Sequence, residues 1–114
     1  MNITLRERLN RELSDTDDVR GFDLQDATRI NDGERIHLSV SAPRDCSMGQ
    51  LATVAPAFVN AAFSVTDDGG VSGVIHSSDW YARFEASADV RDSDGDERRA
   101  LVRESVEPYP SVVF

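Results

Sequence analysis

The stretch RDSDGDERR, residues 91–99, places three aspartates at alternate positions around one glycine. Carboxylates at every second residue are typical of a calcium-binding loop, which also needs glycine at its sixth position and glutamate at its twelfth. Counted from Asp92, the sixth residue is Glu97 and the twelfth is Arg103, so both requirements fail. The stretch therefore predicts a solvated turn that caps the following helix, and it does not predict a metal site.

Two histidines and the single cysteine are the other residues that could do chemistry. Cys46 precedes a predicted helix, whose free N–H groups favour a thiolate, and a nucleophilic thiolate needs a histidine within reach. His37 and His76 lie on predicted strands without HxH or HxxxH spacing, so they and a carboxylate such as Asp79 give a weak zinc signal. We expect ordinary strand histidines and a small buried cysteine. A metal or thiol protein using His37, Cys46 and His76 is kept as an alternative.

Phosphate-binding and nucleophile-elbow motifs do not occur in the chain: it has no GxSxG, no Walker loop and no GxGxxG. The glycine-rich stretch DDGGVSG, residues 67–73, follows a predicted helix and precedes a predicted strand. That order is the reverse of the one that cradles phosphate at a helix N-terminus. We therefore predict no catalytic residue, no metal and no cofactor, and expect a protein that is not an enzyme.

The 114-residue chain is long enough for a single domain, 1–114, with one core. Its most distinctive overall property is its charge composition. The net charge is −9, from 21 acidic residues against 12 basic ones, and every basic residue is arginine. An aspartate-rich surface without lysine resembles the proteins of halophilic archaea, which work in molar KCl. At about 1 M salt the Debye length is roughly 3 Å, so repulsion among the acids is screened. We interpret the acids as a solvent coat and expect a protein partner rather than nucleic acid.

Membrane and export signals are missing from the sequence. No apolar run reaches the length of a membrane span, and the charged opening MNITLRERLN has no apolar signal-peptide region. We therefore expect a cytoplasmic protein without a membrane partner.

The elements that would position these residues follow from local patterns. TLRERLNRELSD predicts a helix with a Thr4–Glu7 capping box. Residues 19–40 predict a hairpin around NDG, the alanine-rich stretch 47–65 predicts a second helix, and VSGVIHS predicts a strand. The expected fold is α+β, with a small, mostly antiparallel sheet of about three strands that helices cover on one face.

The stretch 80–90 fits two structures. Its apolar residues alternate as in a strand, but Trp80, Phe84 and Ala88 also share one face of a helix. We favour helix here and a final helix near 97–106, so that one or two helices precede the end of the chain. The alternative is a larger meander with 80–90 and 97–106 as strands. Residues 108–114, PYPSVVF, predict an extended tail because proline does not continue a helix.

Several pieces of the chain recur together in other proteins: an opening LRERL…EL helix, a DG hairpin, an alanine-rich helix, a GV.H…DWY junction and a short LVRESV helix. In this combination the chain resembles a group of short haloarchaeal proteins of unknown function. The resemblance implies this order of elements and a haloarchaeal host or one of its viruses. It implies no activity and no functional residues.

We predict from these observations a non-catalytic interaction or assembly module of a halophile, self-associating or a subunit of a larger complex. Alternatives are a structural subunit of a haloarchaeal virus particle, located in the virion, and a small regulator with Arg91, Arg98, Arg99 and Arg103 on one face. The narrow leucine stripe of the first helix and the apolar end of the chain are the predicted interface: Leu5, Leu9, Leu13, Val112, Val113 and Phe114.

Overall fold

The computed structural model of the chain describes residues 4–30, 34–43, 46–67, 69–77 and 80–110. Within these ranges three α-helices occur, at Leu5–Leu13 (α1), Leu51–Val65 (α2) and Gly95–Ser105 (α3). The five strands are Asp23–Ile30 (β1), Arg35–Ser41 (β2), Gly70–His76 (β3), Trp80–Ala86 (β4) and Glu107–Pro110 (β5).

One mixed sheet contains all five strands in the order in which they follow along the chain. β2 and β3 are parallel because α2 carries the chain back across the sheet between them, while the other three neighbouring pairs are antiparallel. The fold is α+β, but the expectation of about three mostly antiparallel strands is wrong. The sheet is larger because the segments 80–86 and 107–110 both join it as strands.

The stretch that starts at Trp80 is a strand, and our preference for a helix there is wrong. Ala82, Phe84 and Ala86 point into the core, while Arg83 and Glu85 between them are exposed. Antiparallel pairing of β4 with β3 satisfies the backbone and selects the two-residue period. The alternative, a larger meander, predicted the strand that begins at residue 80 but was wrong about 97–106, which lies largely in α3.

Local caps determine where the first and last helices begin. The Thr4 hydroxyl accepts a hydrogen bond from the backbone N–H of Glu7 at 3.2 Å, as its capping-box position predicts. The Asp94 carboxylate accepts one from the N–H of Glu97 at 2.8 Å, so the predicted role of the acidic turn as a helix cap is confirmed.

A single hydrophobic core fills the space between the sheet and the helices. α1 packs against α2 and β1, and α3 packs against α2 and β4, so the described helices share one face of the sheet. Ile36, Leu38 and Val40 of β2 are buried on that face, with Phe58 of α2 against the same core. The opposite face of the sheet carries none of these helices, and we call it the open face.

The leucine stripe of α1 packs inside the chain. Leu9 and Leu13 are buried, and Leu5 is partly buried against the same core. These leucines therefore hold α1 on the protein's own sheet. The other predicted interface residues, Val112, Val113 and Phe114, lie outside the described residues. Within the described ranges, no helix is both long and apolar enough to cross a membrane.

Candidate functional site

The open face is built from side chains that alternate with the buried ones along each strand. The strand register places five of them in one row across the sheet: Asp26, Ser39, Val74, Arg83 and Glu107, one from each strand in order. A second row contains Thr28, His37, Ser72 and Glu85. The face is thus a flat, mostly polar surface whose residues come from distant parts of the sequence.

Six neighbouring positions in the middle of the open face carry neither a carboxylate nor a guanidinium side chain. Six residues of β2 and β3 form this region, which we call the central patch: His37, Ser39, Ser41, Ser72, Val74 and His76. All except His76 are half-buried by their neighbours. Charged residues surround this patch, with Asp23 and Asp26 on β1, Arg83 and Glu85 on β4, and Arg35 at the start of β2.

Two side-chain contacts on this face link β2 to β3 and β2 to β4. His37 Nδ1 and Ser72 Oγ are 3.0 Å apart, a hydrogen bond between neighbouring parallel strands. Beside them an Nη of Arg35 lies 3.3 Å from a carboxylate oxygen of Glu85, which belongs to the strand beyond β3. A shallow groove of about 420 Å³ runs over these residues and continues to Arg83.

A histidine bonded to a serine can in principle activate the serine as a nucleophile, but such a site also needs a group that orients the imidazole and donors that bind an oxyanion. Among the described residues, no carboxylate hydrogen-bonds to His37. Ser72 lies in the middle of β3, where the neighbouring backbone N–H groups face other strands. The pair therefore serves as a polar cross-strand contact that holds the central patch in place.

The three residues of the metal or thiol alternative do not converge. His37 and His76 both project from the open face, but the sheet register places them about 13 Å apart along the strands. Cys46 is buried in the core, and its thiol donates to the Ser47 carbonyl at 3.3 Å. In the part of the chain that the structure describes, no three metal-ligating side chains form a site. Asp79 lies outside that part.

The arginines of the regulator alternative have separate roles. Arg91 stacks on the ring of Phe63 at 4.5 Å and donates to the carbonyls of Phe63 and Thr66 at 2.9 and 2.7 Å, at the C-terminal end of α2. Arg98 also lies over Phe63, at 5.1 Å, and donates to the Val90 carbonyl. Both guanidinium groups therefore bind the protein's own backbone. Only Arg99 and Arg103 face solvent from α3.

A second groove, of about 500 Å³, follows the outer side of α2 between α1 and α3. Its walls combine small or neutral residues of α2, such as Thr53 and Ala57, with Glu12, Arg99 and Arg103 from the flanking helices. These charges of both signs are spread along an exposed surface. The groove therefore presents no converging set of functional groups.

Sequence reasoning identified His37, Ser39 and Ser41 as one face of a strand but did not predict the residues opposite them. Ser72 and Val74 complete the central patch because the β2–α2–β3 crossover places the two strands side by side. A signal for these residues was present in VSGVIHS, because its core-facing and open-face positions alternate as they do in β2. The register between the two strands could not be obtained from either segment alone.

Comparisons with protein-family models, with curated proteins and with solved structures found no match.

Proposed function

We propose that this protein is a non-catalytic interaction module that binds a protein partner through the open face of its sheet. The observation that supports the proposal best is the uncharged central patch, because 29% of the residues in the chain are charged. A sheet face that always met water would be expected to carry the same acidic coat as the rest of the surface.

The distribution of charge on the open face matches the anatomy of protein interfaces. The centre of an interface is depleted in charged residues, while charged groups remain at the wetter rim. Here the central patch occupies β2 and β3, and Asp26 and Arg83 flank it on β1 and β4. A flat partner surface could therefore cover the centre without desolvating an unpaired charge, which would be costly.

The chemistry of the patch suits an interaction in concentrated salt. Serine hydroxyls, imidazoles and the Val74 side chain bind through hydrogen bonds and van der Waals contact, which salt screens far less than ion pairs. We propose a halophilic setting for the protein on the basis of its acidic, lysine-free composition. In that setting, an uncharged interface centre would retain its affinity.

A charge placed in the centre of the patch tests the proposal. Tagged wild-type protein and a Val74→Glu variant would be purified from cells of the source organism in molar KCl, and the retained proteins, a second copy of the chain included, would be quantified by mass spectrometry. We expect retention of the partner to fall about tenfold or more, because the partner would have to desolvate the new carboxylate at the centre of the contact.

Thr53→Glu is the matched control, since Thr53 is exposed on α2, on the other side of the molecule. Circular dichroism would establish that both variants fold. Equal retention by the wild type and both variants would contradict the proposal, as would a loss that Thr53→Glu shares.

A further inference from the structure

We propose that the partner of the open face is a second copy of this chain, related to the first by a two-fold axis that runs parallel to the strands between β2 and β3. The inference rests on the proposed function, because it assigns an occupant to the same face. It follows from the position of the charges in the sheet register.

The parallel pair β2 and β3 has β1 on one side and β4, followed by the short strand β5, on the other. The proposed axis lies above the open face, over the gap between β2 and β3. A rotation of 180° about it stacks the open faces of two copies and keeps the direction of the strands. β2 of one copy then lies over β3 of the other, and β1 lies over β4. Sheets packed in this aligned manner keep their strand directions within about 30° of each other.

Under this rotation the row that contains Asp26 and Arg83 lies over the same row of the other copy, with the order of the strands reversed. Asp26 of each copy therefore faces Arg83 of the other, which gives two symmetric ion pairs at the rim. Both side chains are exposed, and neither makes a hydrogen bond or an ion pair with any residue that the structure describes. The two charges are thus available for reciprocal pairing between copies.

The neighbouring rows are complementary in the same orientation. The Thr28 hydroxyl faces the Glu85 carboxylate, and the His37 imidazole faces the Ser72 hydroxyl. In the last row Asp23 faces the phenol of Tyr81. Each contact joins a hydrogen-bond donor to an acceptor, and none brings two like charges together.

A two-fold axis perpendicular to the strands is the competing symmetry. It would reverse the order of the rows, so that Asp23 of each copy faced Ile30 of the other and Asp26 faced Thr28. That arrangement leaves both aspartates without a cation and places one of them against an apolar side chain. On β4 the same axis would place Arg83 over Glu85, but Glu85 already pairs with Arg35 of its own chain. The axis parallel to the strands is therefore favoured because it pairs Asp26 with Arg83, two charges without an ion pair among the described residues.

The size of the face predicts a weak dimer. Four strands about 4.8 Å apart and seven residues long cover roughly 19 Å by 23 Å, less than the area of about 800 Å² per partner in a standard interface. We expect a dissociation constant in the micromolar range. Association should therefore be measured at tens to hundreds of micromolar protein.

Mixing two charge-reversal variants tests the inference. Asp26→Arg alone would place two arginines opposite each other, and Arg83→Asp alone would place two aspartates opposite each other. An equimolar mixture of the two variants would restore both ion pairs in a heterodimer. Sedimentation equilibrium would be run at the lowest KCl concentration at which circular dichroism shows all samples folded, because molar salt screens ion pairs.

We expect each single variant to dimerise about tenfold more weakly than the wild type, and the mixture to recover most of the affinity. A mixture no stronger than the single variants would overturn the proposed symmetry. A wild type that stays monomeric throughout would overturn self-association. Neither result removes the proposed function, which fails separately if Val74→Glu leaves the binding of every partner unchanged.

A disulfide provides a second measurement that does not depend on charge. In a Cys46→Ala background, cysteines at positions 26 and 83 are separated within one chain by three strand spacings, about 14 Å, which is too far for an internal bond. Mild oxidation should therefore give covalent dimers. Cysteines at positions 29 and 83 are the control, since Arg29 is paired with Ile36 and shares its side of the sheet. Equal cross-linking of the two pairs would contradict the proposed contact.

Discussion

The phenyl ring of Phe84 on β4 occupies the space above Gly73 on β3, where a side chain at position 73 would otherwise lie. The two residues are direct partners in the antiparallel register, and Phe84 is buried. A Cβ atom at position 73 would lie 2.6 Å from Cε1 of the ring, closer than a real Cβ approaches another heavy atom. The missing side chain of Gly73 is therefore what allows the aromatic ring to fill the core at the centre of the sheet.

We expect Gly73→Ala to lower the free energy of unfolding by about 1–3 kcal/mol, because a buried ring must shift to accommodate the new methyl group. Chemical denaturation in KCl would measure the change. Gly95→Ala is the control: nothing lies within 4 Å of its Cβ position, and it begins α3, so its stability should stay the same or rise by up to about 1 kcal/mol. Equal losses in the two variants would contradict the packing argument, as would a Phe84→Leu change that fails to relieve the cost at position 73.

We expect Arg91→Lys to destabilise the fold by about 2–4 kcal/mol. Lysine keeps the charge but cannot reproduce the planar fork that donates to Phe63 and Thr66 while stacking on a ring. Thermal and denaturant unfolding would measure the loss.

Arg20→Lys provides the matched control for this substitution. Arg20 pairs with Asp17 at 3.4 Å on the surface, where both side chains are more than four-fifths exposed, so its replacement should change stability by less than about 0.5 kcal/mol. If the two substitutions cost the same, the guanidinium of Arg91 does not stabilise the end of α2 as described.

We expect Asp94→Ala to cost about 1 kcal/mol, because the N–H of Glu97 loses its cap. Asp92→Ala, in the same acidic stretch and exposed, should have a smaller effect. Added calcium should leave the melting temperature of the wild type unchanged. A calcium-dependent rise that Asp92→Ala abolishes would show that the stretch binds metal after all.

We expect the melting temperature to rise when KCl is increased from tenths of molar to molar, because screening reduces the repulsion that accompanies a net charge of −9. A variant with four exposed aspartates changed to asparagine should respond less: Asp15, Asp67, Asp89 and Asp96. Differential scanning calorimetry would compare the two slopes. A wild type that loses stability in molar KCl would refute the halophilic interpretation of the composition.

Local patterns were sufficient to predict those helices and strands for which the hydrophobic period and the capping residues indicate the same structure. The leucine spacing and the Thr4 cap predicted α1, and the alternation in RIHLSV predicted β2, because a cap and a hydrophobic period depend only on residues close in the chain. The acidic turn before α3 was identified for the same reason. Asp94 needs only Glu97, three residues later, to act as a cap.

Only the tertiary structure decided the form of 80–86 and the composition of the open face. Trp80 and Phe84 fit both a helical and a strand period, and pairing with β3 selected the strand by satisfying the backbone of β4. His37 and Ser72, or Asp26 and Arg83, meet in one row because the α2 crossover sets the register of two strands far apart in sequence. The sequence by itself determined which residues are polar, apolar or able to cap a helix. Which polar residues share a surface depends on long-range strand pairing, and no local pattern encodes that pairing.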